Sequence, residues 1–230
     1  MAAGRKNKKK KIAEINTLPN IFQAFEFGAT QLHAASGEAV NFTNQWAAKV
    51  FQNNNPVTVE LACGKGDYTV ALAAEHPERN FIGVDIKGPR LHTGAKYALE
   101  HHLKNVAFAR FKIENILRFF GEGELQEIWI TFPDPFPKDR HEKHRLTHAS
   151  FLAKYQLLLA KGGVLNFKTD DLDLFRYSVD SISNFGGKLL YCREDIYAQP
   201  LDFPELAIKT FYEKQHLAKG RTINFLQAQL

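Results

Sequence analysis

Short apolar runs alternate with stretches of helical periodicity along most of the chain. Five runs are rich in β-branched and aromatic residues and end at polar or turn-forming residues, which is typical of strands buried on both faces of a parallel sheet. These predicted strands are residues 57–61, 81–84, 106–110, 128–132 and 164–167. A predicted helix follows each of them, at residues 68–75, 89–102, 113–120, 144–159 and 172–183.

The alternation of strands and helices predicts an α/β fold with a doubly wound, mostly parallel sheet of the Rossmann-like type. In such a sheet, ligands bind beyond the carboxyl ends of the strands, near the point where strand order reverses. Residues that directly follow strands are therefore the first candidates for a functional site. Three later segments, 189–192, 207–212 and 222–226, are also predicted as strands, although their pairing does not follow from one sequence.

The composition is that of one globular domain. The chain has 230 residues, of which 44% are hydrophobic. No apolar run approaches the roughly 18 residues of a membrane span, and the basic start does not lead into a signal peptide's apolar stretch. These features predict a cytoplasmic protein without a membrane partner. Cys63 and Cys192 are too few for a disulfide framework or a four-cysteine zinc site, so both are expected to be reduced thiols.

The first residues concentrate positive charge. Without them, 24 basic residues face 25 acidic ones. We expect residues 1–15 to form a flexible basic arm and residues 16–230 to form a single domain. Such an arm binds polyanions by releasing condensed counterions, and a disordered solubility tail is an equally good interpretation. The basic residues concerned are Arg5, Lys6, Lys8, Lys9, Lys10 and Lys11.

A glycine turn follows the first predicted strand. Glu60 lies in that strand, and Gly64 and Gly66 follow it, so the backbone can approach a ligand where a Cβ would collide. Thr69 stands where a dinucleotide-binding fingerprint has its third glycine, and the sequence lacks the phosphate-binding Gly-x-x-x-x-Gly-Lys motif. The pattern therefore disfavours both a dehydrogenase and an NTPase.

Two acids favour a cationic cofactor that contains adenosine. The carboxylate of Glu60 would repel a pyrophosphate but attract the ammonium and sulfonium groups of S-adenosylmethionine. Asp85 ends the next predicted strand, 19 residues after Gly66, where an acid commonly accepts hydrogen bonds from ribose hydroxyls. A structural turn with two surface acids is the weaker interpretation of this combination.

A proline-rich segment follows the fourth predicted strand. Residues 132–145 read Phe-Pro-Asp-Pro-Phe-Pro-Lys-Asp-Arg-His-Glu-Lys-His-Arg. Prolines at alternate positions stiffen the loop and favour extended conformations for Asp134 and Phe136. A rigid surface connection explains the prolines but not the adjoining basic residues, which together with an aromatic ring suit a nucleotide and its phosphates. These basic residues are Lys138, Arg140, Lys143 and Arg145.

This segment resembles the signature of the tRNA (guanine-N7-)-methyltransferases, Phe-x-Asp-Pro-Trp-x-Lys-x-Arg-His-x-Lys-Arg-Arg. The resemblance runs from about residue 56 to 220 and includes the glycine turn, Asp85, Lys-Thr-Asp at 168–170 and Thr-Phe-Tyr-Glu at 210–213. It implies a class I methyltransferase fold, S-adenosylmethionine as cofactor, tRNA as partner and 7-methylguanosine in the variable loop as product. It implies neither a metal nor an obligatory protein partner, and it leaves monomer and homodimer open.

The resemblance also implies roles for single residues. Glu60 and Asp85, with the turn at Gly64 and Gly66, hold the cofactor, and Asp134 lies between cofactor and base. Contacts with the substrate are implied for Lys138, Asp170, Thr210 and Glu213. Arg140 is expected to join Lys138 at the phosphates of the RNA.

The chain departs from the family pattern at several positions. Three departures change single side chains: Phe136 replaces Trp, His144 replaces a base, and Asp67 stands where Glu is common. A fourth lies after the third predicted strand, where the family places Asp-Ala against adenine and this chain has Lys112 and Ile113. Glu114 is the candidate to supply the missing acid.

The implied reaction needs positioning more than proton transfer. Guanine N7 carries a lone pair and no proton, so the transfer requires no base to create the nucleophile. The reacting atoms must be aligned at about 3 to 3.5 Å. We expect Asp134 to be the central residue, through orientation and electrostatic stabilisation ahead of general-base catalysis. Acids that accept the N–H groups of guanine would also reject adenine.

Other interpretations stay open beside this one. His141, His144 and His148 have helical spacing for a metal site, but the neighbouring bases would repel a cation, so a polar face near RNA is preferred. The enzyme alternative is a methyltransferase that acts on another RNA guanine or a small molecule, and the non-enzyme alternative is an RNA-binding module of the same fold. Four N-terminal aromatic residues are interpreted as core ahead of base stacking: Phe22, Phe25, Phe27 and Phe42.

Overall fold

The computed structural model describes residues 2–24 and 28–230 of the chain, with side chains from residue 9 onward. Phe25, Phe27 and the basic side chains of the predicted arm before residue 9 lie outside this description. The chain divides into two compact units, Met1–Gly121 and Glu122–Leu230, each with its own strands and helices. Within the described residues, every helix is too short or too polar to cross a membrane.

The first unit contains four parallel strands. Its strands are β1 (Ile21–Gln23), β2 (Leu32–His33), β3 (Ala39–Val40), β4 (Val57–Leu61), β5 (Asn80–Val84) and β6 (Val106–Arg110). Its α-helices are α1 (Ala2–Ile15), α2 (Asp67–Glu75) and α3 (Gly88–Glu100). The unit also contains a π-helix at Trp46–Val50 and a 3₁₀ helix at Ile113–Arg118. The parallel strands follow the order β1-β6-β5-β4, and β2 and β3 extend beyond β1 as antiparallel neighbours.

The core of the first unit explains its sequence pattern. Every residue of β4 and β5 is buried, as continuous apolar runs in a parallel sheet predict. Trp46 is completely buried, stacks on Phe120 at 5.2 Å between ring centroids and donates from Nε1 to the Phe119 carbonyl at 2.8 Å. Phe22 is buried and packs against the same indole, which confirms its interpretation as a core residue. Phe42 packs there as well but is only half-buried.

The second unit is a mixed sheet. Its strands are β7 (Leu125–Thr131), β8 (Leu159–Thr169), β9 (Lys188–Arg193) and β10 (Asn224–Gln229), and its α-helices are α4 (Ala149–Leu158), α5 (Leu172–Phe185) and α6 (Phe211–Ala218). Shorter 3₁₀ helices lie at Asp139–His144, Ile196–Ala198 and Pro204–Ala207. The strand order is β7-β8-β10-β9, where β7 and β8 are parallel and β10 is antiparallel to both of its neighbours.

Most predicted elements are confirmed, and the α/β class with them. The five predicted strands correspond to β4, β5, β6, β7 and β8, and two later ones correspond to β9 and β10. The helix predicted over 113–120 is a 3₁₀ helix, and the one predicted over 144–159 begins only at Ala149, where His148 accepts a hydrogen bond from the Ser150 N–H as its cap. The strand predicted over 207–212 is wrong, because α6 begins at Phe211.

The basic N-terminal segment is helical here, and its end is docked on α3. Ile15 is buried at the end of α1. Nε2 of His92 lies 2.6 Å from Oε2 of Glu14, and the Lys11 ammonium donates to the Thr93 hydroxyl at 3.0 Å. These contacts leave Lys9 and Lys10 exposed to solvent. The prediction that this segment collects RNA is separate from its conformation and stays a prediction.

Candidate active-site residues

Glycines with left-handed backbone shape the turn after β4. Gly64 has a φ of +60° and Gly66 a φ of +74°, values that glycine adopts without strain. A Cβ on Gly66 would lie 2.5 Å from Cε1 of Phe108, so close packing excludes a side chain there. A Cβ on Gly64 would meet no atom of the described chain within 4 Å. The backbone of Gly64 therefore borders open space in which a ligand can come close.

Glu60 is buried in β4, and the start of α2 fixes its carboxylate. Its Oε2 accepts a hydrogen bond from the Thr69 N–H at 2.9 Å and another from the Thr69 hydroxyl. A negative group in this position satisfies an amide at a helix N-terminus, where the helix dipole favours it. The threonine that replaces the third glycine of a dinucleotide fingerprint is thus a partner of the acid.

Asp85 connects the ends of two neighbouring strands. It follows β5 directly, and its Oδ2 accepts from the Gly64 N–H at 3.0 Å while its Oδ1 accepts from the Lys87 N–H at 2.7 Å. Each carboxylate oxygen has two lone pairs, so both oxygens can accept a further hydrogen bond from a ligand hydroxyl. The geometry suits the role in ribose binding that the sequence predicts.

The turn is electrostatically negative. Burial, and after it the charges of Glu60 and Asp85, raise the pKa of the Cys63 thiol well above its ordinary value. Cys63 and Cys192 are both free thiols, as expected. Charges that oppose a thiolate at this position favour a cation there, because the sign of the interaction reverses. The local field therefore fits the ammonium and sulfonium groups of S-adenosylmethionine.

A cavity of about 480 Å³ lies beyond the ends of β5 and β6. Ile86, nearly half exposed, lines it together with Lys112 and Glu114. Arg118 contributes to the wall and donates to the carbonyls of residues 28 and 29 at 2.7 and 3.0 Å. Apolar side chains and a few polar groups around a concave space are the usual features of a small-molecule site.

In the second unit, the loop after β7 is held in a strained conformation. Phe132 has a φ of +50° and Phe136 a φ of +45°, left-handed values that cost a non-glycine residue on the order of 1 to 3 kcal/mol. The expected extended conformation of Phe136 is therefore wrong. Its carbonyl accepts hydrogen bonds from Nε and Nη2 of Arg145, at 3.3 and 3.1 Å, which hold the backbone in place.

Asp134 lies between these two strained residues and is exposed. Within the described part of the chain, no hydrogen bond or ion pair occupies its carboxylate. Lys138 and Arg140 are exposed as well, at the start of the 3₁₀ helix Asp139–His144. Arg145 differs from them, because its guanidinium lies 4.3 Å from the centroid of the Tyr177 ring and holds the loop. The loop thus offers the Asp134 carboxylate to solvent, and the 3₁₀ helix after it offers exposed bases together with the exposed acids Asp139 and Glu142.

The three histidines near this loop have different roles. His141 and His144 lie beside the Phe136 ring, at 6.4 and 5.6 Å between centroids. His148 caps α4 through Nδ1, which accepts from the Ser150 N–H at 3.2 Å. Among the residues that the structure describes, no three side chains are arranged to hold a metal ion.

Asp170 follows β8 and is shared by two cationic or potentially cationic groups. Its Oδ2 lies 2.5 Å from Nη1 of Arg221 and 3.0 Å from Nδ1 of His216, the latter without hydrogen-bond alignment. The His216 ring stacks on Phe132 with a centroid distance of 5.9 Å and an interplanar angle of 13°. Sequence reasoning missed His216 and Arg221. The spacing of three residues between Glu213 and His216, on one helix face, was the available signal.

Thr210 and Glu213 are engaged inside the second unit. The Thr210 hydroxyl accepts from the Glu213 N–H at 3.1 Å and caps α6. Glu213 is completely buried, with Oε1 2.8 Å from the Lys168 ammonium and 2.6 Å from the Tyr197 hydroxyl. Burial lowers the pKa of Lys168, and burial together with the Glu213 hydrogen bond raises the pKa of Tyr197. Tyr197 is a further residue of this cluster that the sequence did not reveal.

Comparisons with known proteins identify related methyltransferases. A family described as "Putative methyltransferase" matches residues 54–226. The tRNA (guanine-N(7)-)-methyltransferase of Christiangramia forsetii is 40% identical over 99% of both chains, and that of Porphyromonas gingivalis is 41% identical over 92% of this chain and 85% of its own. Among solved structures, the 16S rRNA methyltransferase KamB has a TM-score of 0.63 at 12% identity, covering 84% of this chain and 96% of its own.

The α/β fold, with a glycine turn after β4 and an acid after β5, defines a class I methyltransferase. The family match spans both of these features and the proline-rich loop after β7. The chain belongs to the tRNA (guanine-N(7)-)-methyltransferase family, and the resemblance predicted from its motifs is confirmed.

Proposed function

We propose that this protein transfers a methyl group from S-adenosylmethionine to N7 of a guanine in the variable loop of tRNA and so forms 7-methylguanosine. The observation that carries the proposal is the exposed Asp134 carboxylate, on a strained loop after a strand, in a chain 40% identical to a curated tRNA (guanine-N(7)-)-methyltransferase. Backbone strain clusters at functional sites, which supports a role for this acid beyond loop structure.

Glu60, Gly64, Gly66 and Asp85 would hold the cofactor. When bound, S-adenosylmethionine supplies a methyl group on a positively charged sulfur. Burial raises the pKa of the Cys63 thiol, and the charges of Glu60 and Asp85 raise it further. The negative field of these two acids supports binding of the positively charged sulfur, and the open space beside Gly64 leaves room for the ligand. Asp85 would accept hydrogen bonds from the ribose hydroxyls with its remaining lone pairs.

The cavity beyond β5 and β6 would receive the adenine ring. Ile86 would cover one face of the ring with apolar surface. Glu114 lines the same cavity and would accept a hydrogen bond from the adenine amino group. It would thus replace the aspartate that the family places against adenine. Lys112, which stands where the family has this aspartate, would border the ring but has no acceptor atom for the amino group.

On the substrate side, Asp134 would orient the guanine. Guanine presents N–H donors on its Watson-Crick edge, and an ionised carboxylate accepts two of them well, whereas the edge of adenine offers a different pattern. Because N7 carries no proton, this role needs no proton transfer. Orientation and electrostatic stabilisation are therefore the functions we assign to Asp134, which would also contact the cofactor.

Further residues of the second unit would bind the RNA. Lys138 and Arg140 are exposed and would contact phosphates. Asp170 would act on the substrate through Arg221 and His216, which its carboxylate holds. Thr210 and Glu213 are engaged in the cap and the ion pair, so they would serve substrate binding by setting the position of α6. We also propose that the protein works on tRNA in the cytoplasm without an obligatory protein partner.

Methyl transfer from labelled S-adenosylmethionine to unmodified tRNA, followed by nucleoside analysis, tests the proposal. We expect 7-methylguanosine with the native chain and none with Asp134→Ala, while both proteins bind S-adenosylhomocysteine. Label in another guanine derivative would identify a different RNA methyltransferase. Absence of transfer by a protein that binds both cofactor and tRNA would favour the RNA-binding module.

A further inference from the structure

Two aromatic side chains lie exposed next to each other at the start of α6. Phe211 is 48% and Tyr212 is 40% exposed, and their rings are 5.7 Å apart at an interplanar angle of 76°. Single exposed apolar residues are common on protein surfaces, whereas adjacent large ones with a polar rim mark interaction sites. The pair is therefore a candidate contact surface.

The docking of α6 explains why these two rings face solvent. Glu213 and His216 are three residues apart and lie on one face of the helix. On that face Glu213 pairs with Lys168 of β8, and Nδ1 of His216 lies 3.0 Å from Oδ2 of Asp170, which follows the strand. With Thr210 used as the cap, the residues between it and Glu213 are left on the outer surface.

The segment that carries the two rings exposes mostly basic side chains. From residue 209 to 221 the sequence contains a single acid, Glu213, which is completely buried and paired with Lys168. All four bases of this segment are exposed. Arg221 is paired with Asp170, and the Lys209 ammonium lies 4.7 Å from the centroid of the Tyr197 ring. The four bases are Lys209, Lys214, Lys219 and Arg221.

We propose that Phe211 and Tyr212 form a stacking platform for an unpaired base of the tRNA, and that Lys209, Lys214 and Lys219 contact the neighbouring phosphates. Sites for single-stranded nucleic acid combine aromatic rings with a basic surface in this way. A protein partner fits less well, because the buried centres of protein interfaces are depleted in lysine. The inference rests on tRNA as the substrate, and it specifies the contacts by which α6 would bind the tRNA.

The proposal also accounts for the role of the segment 210–213. The resemblance implies substrate contacts at Thr210 and Glu213, yet both side chains are used within the protein. The two residues between them have the exposure that a contact with RNA needs. In this arrangement Thr210 and Glu213 fix the position of the segment, and the exposed pair Phe211 and Tyr212 contacts the base.

The test compares tRNA binding by the native chain and by the double variant Phe211→Leu/Tyr212→Leu, which keeps apolar side chains but removes both π faces. We expect a roughly tenfold loss of tRNA affinity, since stacking on each base contributes measurably. Tyr212→Trp should retain affinity, and its fluorescence should be quenched by tRNA. Tyr97→Leu, which removes a comparably exposed aromatic ring of α3, serves as the matched control and should bind tRNA normally.

Two further measurements separate stacking from other causes. Base-free polyphosphate should bind the double variant as well as the native chain, and the melting temperature and S-adenosylhomocysteine affinity should be unchanged. Equal loss of tRNA and polyphosphate binding, undiminished tRNA affinity, or self-association of the native chain that the double variant lacks would each overturn the platform. Failure of the proposed function is recognised separately, because then the native chain itself would not methylate tRNA.

Discussion

Lys168 and Glu213 form an ion pair in complete burial, with 2.8 Å between the ammonium nitrogen and Oε1. The Lys168 ammonium also donates to the carbonyls of Leu206 and Ile208, at 3.1 and 3.2 Å, and the Tyr197 hydroxyl donates to the same carboxylate. All three donors of the ammonium thus have acceptors. The cluster ties the end of β8 to the loop before α6 and to the helix itself.

Removal of one partner from this pair should destabilise the protein strongly. Lys168→Met leaves a buried carboxylate without its cation, and losses of this kind are about 3 to 5 kcal/mol. The double variant Lys168→Met/Glu213→Leu buries no unpaired charge and should recover much of that loss. Denaturant unfolding of both single variants and the double variant measures the coupling. Additive losses would show that the pair contributes nothing beyond its separate side chains.

The sequence predicts the parallel strands well because burial on both faces leaves a continuous apolar run. For the same reason it locates Glu60 in such a strand, Asp85 directly after one, and Asp134 in the loop that follows β7. It fails at β1, β2 and β3, which have only two or three residues each and are too short for a periodic pattern.

The prediction at residues 207–212 failed for a different reason. Ile208, Thr210, Phe211 and Tyr212 have the side chains of a strand, but Thr210 and Glu213 also have the spacing of a capping box. The segment forms the start of a helix because the Thr210 hydroxyl accepts a hydrogen bond from the Glu213 N–H and so caps α6. The burial of Glu213 depends on Lys168, 45 residues earlier in the chain, and no local pattern contains that partner.

The two glycines of the turn after β4 should respond differently to alanine. Gly66→Ala combines left-handed strain with a Cβ 2.5 Å from Phe108, so we expect a loss of stability of about 2 to 5 kcal/mol. Gly64→Ala has the strain alone, about 1 to 2 kcal/mol, but its Cβ would occupy the space proposed for the cofactor. Denaturant unfolding and S-adenosylhomocysteine titration should therefore rank the two variants in opposite orders. The same order in both assays would contradict a ligand beside Gly64.

The docking of α1 should depend on pH through Glu14. The hydrogen bond with His92, and less strongly the charge of Lys10, lower the pKa of Glu14 below its ordinary 4.5. An acid with a lowered pKa stabilises the folded state fully above its ordinary pKa and loses that effect as the pH falls through the folded value. Amide exchange in α1, corrected for intrinsic rates, should therefore rise below about pH 4.5, and Glu14→Gln should remove this dependence. A native-like pH profile in the variant would exclude Glu14 as the titrating group.

Asp134→Asn should separate catalysis from folding. The carboxylate is exposed and makes no hydrogen bond or ion pair within the described part of the chain, so stability should change by less than about 0.5 kcal/mol. Methyl transfer to tRNA should fall by at least about a hundredfold if the acid orients guanine, because misplacement of a reacting group is that costly. Single-turnover kinetics beside S-adenosylhomocysteine titration make the comparison. Parallel loss of cofactor affinity and transfer would show that the acid acts mainly through its contact with the cofactor and not by orienting guanine.

Removal of residues 1–11 should weaken tRNA binding and reduce its dependence on salt. Lys9 and Lys10 are exposed on α1, and each phosphate that the protein no longer neutralises lowers the slope of log affinity against log salt by about 0.7 to 0.9. The truncation removes the hydrogen bond from Lys11 to Thr93, whereas Glu14 keeps its contact with His92 and Ile15 stays buried, so most of the docked end of the helix is spared. Titrations from low to physiological salt, with intact cofactor binding as the control, give both slopes. If the slopes coincide, residues 1–11 make no phosphate contacts with tRNA.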